Sequence, residues 1–109
     1  MYALAIIRYV KPLPEVLVHL DAHKGYLKAL ETSGWLLASG PFEPRTGGGL
    51  LLRLPETEIP EFLKRISEDD PFTMAGVADY ELFEWRPNRG LEKLHALGGL
   101  QDRSGDLTP

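Results

Sequence analysis

The sequence predicts an α+β fold in the order βαββαβ, with four antiparallel strands and both helices packed on one face of the sheet. Two observations lead to this. Residues 14–33 and 58–68 each carry apolar side chains at helical spacing, and short apolar or aromatic runs bracket them. Glycine and proline stand at the junctions, where chain reversals need them. At 109 residues the chain has the length of a single domain. A domain of this size buries roughly two-thirds of its unfolded surface.

Tyr2–Tyr9 reads as the first strand. Leu4 and Ile6 point to one face and Ala3, Ala5 and Ile7 to the other, so a central strand covered on both sides is expected. Lys11-Pro12-Leu13-Pro14 ends it, because proline supplies no ladder N–H. One helix is then expected from about Pro14 to Ser33, with Pro14 and Glu15 suited to its first turn. Val16, Leu20, His23, Leu27 and Leu30 form a single stripe facing the sheet. Gly34 is placed to cap its C-terminus.

A short strand follows over Trp35–Ser39, closed by Gly40-Pro41. Residues 42–49 (FEPRTGGG) read as a flexible connection to a strand over Leu50–Leu54, giving a hairpin. A second helix is expected at about Glu58–Glu68, with Ile59, Phe62, Leu63 and Ile66 on one face and a cap near Glu56 or Thr57. Glu68-Asp69-Asp70-Pro71-Phe72 ends it. The last core strand is Val77–Trp85, with aromatics at Tyr80, Phe83 and Trp85. Leu91, Leu94 and Leu97 suggest a short final helix, which places the domain at 1–97 and a flexible tail at 98–109. This is a ferredoxin-like sandwich. Its helix-free sheet face is apolar in the first and last strands and calls for a second copy of the chain.

Composition narrows the function classes. A net charge of −4 and no dense Lys/Arg cluster argue against nucleic acid as a partner. The chain has no cysteine, which removes disulfides, thiolate metal sites and cysteine nucleophiles and suits a reducing compartment. The apolar start is interrupted by Arg8 and lacks a basic leader, so it reads as a strand and not a signal peptide. No apolar run approaches the ~20 residues needed to cross a bilayer. A cytoplasmic protein with no membrane partner is expected.

His23 is the conspicuous residue, an imidazole on a stripe otherwise made of Val and Leu. Histidine is the side chain suited to proton transfer near neutral pH, and it is also a common core residue bonded to a backbone carbonyl. His19 lies four residues earlier, a spacing that can bind metal, but no third ligand or HExxH pattern accompanies it, so no metal is expected. Asp70 precedes proline, the arrangement of an N-cap followed by N1. A carboxylate can also hold a histidine in one tautomer, and both roles fit together if one oxygen stays free. Gly40-Pro41 and Ser39 either offer groups to a ligand or simply end a strand. Tyr26, three residues after His23, either lines a pocket or packs with its hydroxyl in water. Phe72, Phe42 and Trp85 wall a cavity or belong to core and interface. His95 reads as surface.

Three segments together carry a family likeness. The run His23-Lys24-Gly25-Tyr26-Leu27, the run Gly34-Trp35-Leu36-Leu37-Ala38-Ser39-Gly40-Pro41, and Asp70-Pro71-Phe72 followed by Ala75-Gly76-Val77 resemble the YCII-related (YciI-like) family over roughly the first 86 residues. That family's pattern is a helix with HxxYL, a G-x-L-x-x-x-G-P strand and loop, and a DPF or DPY turn followed by AG. The resemblance implies a ferredoxin-like chain pairing into a dimeric α+β barrel, with a His–Asp pair at His23 and Asp70 as its proposed active site. A relative with this domain is a dehydrochlorinase acting on a chlorinated hydroxyquinol, which implies that the fold can host an elimination. Many members carry an arginine three residues before the histidine, where this chain has Leu20, so that residue's role passes to Arg45 or Arg8 or is absent.

The resulting expectation is a small cofactor-free enzyme, lyase- or hydrolase-like. His23 would act as acid–base, Asp70 would orient it, and Tyr26, Ser39, Gly40, Pro41 and Phe72 would contact the substrate. The alternative is a noncatalytic binding or interaction module with the same pocket. A His23–Asp70 hydrogen bond opening into a cleft favours the enzyme, whereas a sealed imidazole on a backbone acceptor favours the module. A haem or monooxygenase protein of the same barrel type would fit the aromatics and the histidine but lacks a distinctive motif.

Overall fold

The computed structural model describes residues 1–102. Its elements in chain order are β1 (Tyr2–Tyr9), α1 (Leu13–Leu17), α2 (Leu20–Thr32), β2 (Leu36–Pro41), β3 (Gly47–Arg53), α3 (Ile59–Asp69), α4 (Pro71–Met74), β4 (Ala78–Trp85) and α5 (Leu91–Asp102). The four strands form one antiparallel sheet in the order β2-β3-β1-β4, with β1 central as its apolar faces predict. None of the described helices is long and apolar enough to cross a membrane.

Strand register sorts the sheet into two faces. Ala3, Ala5 and Ile7 stand opposite Leu52, Leu50 and Gly48 on β3 and Glu84, Leu82 and Tyr80 on β4. Ala3, Ala5, Ile7, Leu50 and Leu52 are buried with Val16, Leu30, Leu63, Ile66 and Phe72, so the core lies between this face and the helices. The other face carries Leu4, Ile6, Leu51, Phe83 and Trp85. There Phe83 is 44% and Trp85 37% exposed. Tyr2, also on that face, is covered by α5, where its hydroxyl meets His95 Nδ1 at 2.9 Å. His95 is exposed yet is held by this bond.

The helix expected over Pro14–Ser33 is two helices. α1 closes with a bond from His19 N to Val16 O at 3.0 Å, and α2 restarts after His19, which caps it without a side-chain bond. The stripe survives the break: Val16, His23 and Leu30 are buried, and Leu20 and Leu27 half-buried. α2 ends as Gly34 predicts. With Gly34 at φ 86°, Gly34 N donates to Glu31 O and Trp35 N to Leu30 O, the paired bonds of a Schellman ending.

Three other boundaries moved. α3 is capped by Glu58, in the left-handed conformation at φ 60° and with no side-chain cap bond, and not by Glu56 or Thr57. Gly47–Gly49, expected in a flexible connection, are the first residues of β3. A Cβ on Gly47 would lie 1.8 Å from Ile7 O, and one on Gly48 would lie 2.8 Å from Gly40 O. The glycines are here because neighbouring backbones approach too closely for any side chain. The backbone of 98–102, expected in the tail, belongs to α5, and the remainder of that tail lies outside the described residues.

Candidate active site

α3 ends at Asp69, and Asp70 turns the chain at φ −67°, ψ 128° into the single turn of α4. Asp70 caps that turn: its Oδ1 accepts from Phe72 N at 2.9 Å. The same oxygen receives His23 Nδ1 at 2.8 Å. Its Oδ2 receives the Tyr80 hydroxyl at 2.5 Å, from β4. Capping and pairing therefore coexist without a free oxygen, because Oδ1 accepts two bonds and Oδ2 a third. Asp70 is fully buried and His23 is 8% exposed.

Three donors converging on one buried carboxyl make the surroundings of a carboxylate, since a carboxylic acid would need an acceptor of its own. An acceptor-only group opposite Nδ1 places the proton on that nitrogen and leaves the Nε2 lone pair available. Among the described residues only Thr73 Oγ1 is a buried side-chain polar atom without a partner. Among the described residues no protein group bonds Nε2, which is not a buried atom, and His23 lines the cleft. The imidazole stacks on Phe72, with ring centroids 3.9 Å apart and planes 7° from parallel. Phe72 covers one face of the ring.

The cleft, about 210 Å³, lies between α2 and the sheet. α2 contributes Leu20, His23, Lys24 and Leu27. The end of β2 contributes Ser39, Gly40 and Pro41, and β3 its three glycines. Gly48 and Pro41 pair across the two strands, and a side chain at Gly48 would run into the β2 backbone. Arg45, from the β2–β3 connection, completes the wall opposite α2. Arg8 does not join it: it is paired with Glu81 at 2.9 Å on the open sheet face.

Of the residues expected at the site, His23, Asp70, Phe72, Ser39, Gly40 and Pro41 are brought together, with Asp70 behind His23. Tyr26 is not part of the cleft wall. Its hydroxyl donates to Ile66 O at 2.8 Å, tying α2 to α3. Three residues along a helix leave Tyr26 turned about 60° from His23, and here that direction meets α3. Burial, and after it the nearby charges of Asp69 and Asp70, push the Tyr26 phenol well above its ordinary value. Phe42 and Trp85 are also outside the cleft. His19 has no metal-binding set around it, since no group of three His, Asp or Glu near enough to hold an ion occurs among the described residues.

Tyr80 is the participant that the sequence pattern did not single out. Burial, then the charge of Asp70 and the hydrogen bond to it, push its phenol far above the ordinary tyrosine value, so it stays a donor. The available signal was its position: in an alternating strand, Tyr80 shares the helix-side face with Ala78 and Leu82.

No curated protein matches the chain. Among solved structures it is similar to the 5-chloro-2-hydroxyhydroquinone dehydrochlorinase of Burkholderia phenoliruptrix, in complex with 2,5-dihydroxybenzoquinone. The TM-score is 0.63 at 24% identity, over 82% of this chain and 97% of that one, a likeness of fold. A model of the YCII-related domain matches residues 1–86, which hold the whole sheet and every residue of the cleft, and the chain belongs to the YCII-related family.

Proposed function

We propose that this protein is a small acid–base enzyme, lyase- or hydrolase-like, that works without a cofactor on a small molecule held in the α2–sheet cleft. The observation that carries the reading is the His23–Asp70 hydrogen bond at 2.8 Å, with the opposite edge of the imidazole facing that cleft. Nε2 takes a proton from the substrate. The positive charge that develops on the ring is stabilised by the Asp70 carboxylate, which is itself fixed by Phe72 N and the Tyr80 hydroxyl. In an elimination the electron pair left on carbon expels the leaving group, and His23 returns the proton to solvent or to the departing group. The dehydrochlorinase with a similar fold acts on a chlorinated hydroxyhydroquinone, which supports an elimination on a small oxygenated ring. A cleft of about 210 Å³ is below the usual range for drug-sized ligands and suits such a molecule.

The rival reading, a noncatalytic binding module, would be supported by an imidazole sealed against a backbone acceptor. The carboxylate partner and the open ring edge weigh against it. We also propose that a second copy of the chain covers the open sheet face, because Phe83 and Trp85 stand exposed beside Leu4, Ile6 and Leu51.

The test is NMR in D₂O with a panel of small enolisable carbonyl compounds and chlorinated hydroxyquinols. The wild-type protein exchanges a carbon-bound proton or releases chloride, and His23→Gln does neither while keeping its circular dichroism spectrum. Equal rates in the two proteins would refute the catalytic reading.

A further inference from the structure

The cleft has a charge pattern that acid–base chemistry at His23 does not require. Lys24 and Arg45 both line it, one from α2 and the other from the β2–β3 connection, so two cations share one recess. Neither has an ion-pair or hydrogen-bond partner among the described residues. The chain's other basic side chains include Arg8, paired with Glu81, and Lys28, 3.7 Å from Glu31. Among the described residues no carboxylate lines the cleft, although acidic residues outnumber basic ones by 16 to 12 in the chain. Besides the end of β2 and the β3 glycines, the remaining walls are Ile7, Tyr9, Leu20, Leu27 and Leu50, with Phe72 stacked on His23. A net charge of −4 repels anions at long range, so two unpaired cations in one recess single out that place.

We infer that the ligand of this cleft is a small organic anion, a carboxylate on a compact apolar skeleton, whose charged group is held by Arg45 and Lys24 while its carbon body lies against the Ile/Leu wall beside His23. Arg45 supplies a planar fork that fits two carboxylate oxygens, and Lys24 a point charge from α2. This rests on the α2–sheet cleft being the substrate site and adds the chemical class of the substrate.

Binding can be read without turnover. Benzoate and benzamide share a shape and differ in charge, as do pyruvate and pyruvamide. Their affinities are measured by chemical-shift titration of the full chain and of Arg45→Ala, Lys24→Ala and, as a charge-matched control on α5, Lys93→Ala. The expected result is that a carboxylate binds at least tenfold better than its amide. Each cleft variant then loses roughly tenfold of the carboxylate affinity, as when a charged hydrogen bond is removed, with the amide unchanged and Lys93→Ala silent. Raising the salt weakens carboxylate binding alone. Equal binding of acid and amide, no carboxylate binding, or cleft variants indistinguishable from Lys93→Ala would each overturn the assignment. His23→Gln separates the two readings. If it loses turnover and keeps charge-selective binding, both stand; if turnover depends on His23 but acid and amide bind alike, only the anion assignment falls.

Discussion

The Tyr80 hydroxyl donates to Asp70 Oδ2 at 2.5 Å, so a residue of the sheet fixes the carboxylate that a helix histidine uses. β4 sits beside β1 at one edge of the sheet, and Asp70 lies just before it in the chain, at the entry to α4. The acid thus bridges three elements, α2, α4 and β4. Its geometry is set by all of them together.

Asp70→Asn keeps the shape and removes the charge. The amide oxygen that caps Phe72 N sits at the Oδ1 position, so it also keeps the bond from His23 Nδ1, and its NH₂ group faces the Tyr80 hydroxyl, which can turn to accept. The tautomer is kept, but the negative charge that stabilises the protonated ring is lost. Turnover should fall by roughly 10²–10⁴-fold with the fold retained. Side-by-side turnover of the two proteins checks this, and equal rates would contradict the role given to the carboxylate.

Tyr80→Phe leaves Oδ2 buried without its donor, which costs about 1–3 kcal/mol in urea denaturation. The same variant tests a pH dependence. The phenol of folded Tyr80 holds its proton above the ordinary value of 10.0. Above about pH 10 the unfolded chain releases a proton that the folded chain keeps, so stability is full below that pH and falls as pH rises beyond it. The slope attributable to Tyr80 is at most about 1.4 kcal/mol per pH unit. Tyr80→Phe should flatten the decline between pH 10 and 11, and an unaltered decline would rule out Tyr80 as its source.

Glycine positions separate packing from propensity. Gly47→Ala would set a methyl 1.8 Å from Ile7 O and should destabilise by at least about 1–3 kcal/mol. Gly25→Ala, on the exposed side of α2 with nothing within 4 Å, should stabilise by about 0.5–1 kcal/mol. Thermal melts of the two variants shifting in the same direction would contradict this account.

The open sheet face is tested with Phe83→Asp. A charge at this 44% exposed position should leave the monomer's stability within about 0.5 kcal/mol and dissociate the proposed dimer. Sedimentation equilibrium measures this, and a wild-type protein that is monomeric at all concentrations would refute the proposal.

What the residues determined alone was local. Alternation in Tyr2–Tyr9, Gly34 at the helix end and Asp-Pro at 70–71 each depend on near neighbours and formed as read, and the Val16–Leu30 stripe kept its face although its helix is broken in two. They were enough for the order βαββαβ, for placing His23 on the sheet side of α2 and for proposing its pairing with Asp70 through the family resemblance. The break after Val18 was not legible, because no glycine, proline or side-chain cap marks it. The three glycines of β3 looked like a loop because glycine is common in loops, whereas in the sheet the backbones of β1 and β2 lie against Gly47 and Gly48. Tyr80 joining Asp70, Tyr26 turning to Ile66 and Arg45 reaching the cleft were all decided in three dimensions. Periodicity fixes which face a side chain occupies, but which partner waits there depends on how distant strands and helices come to lie against one another.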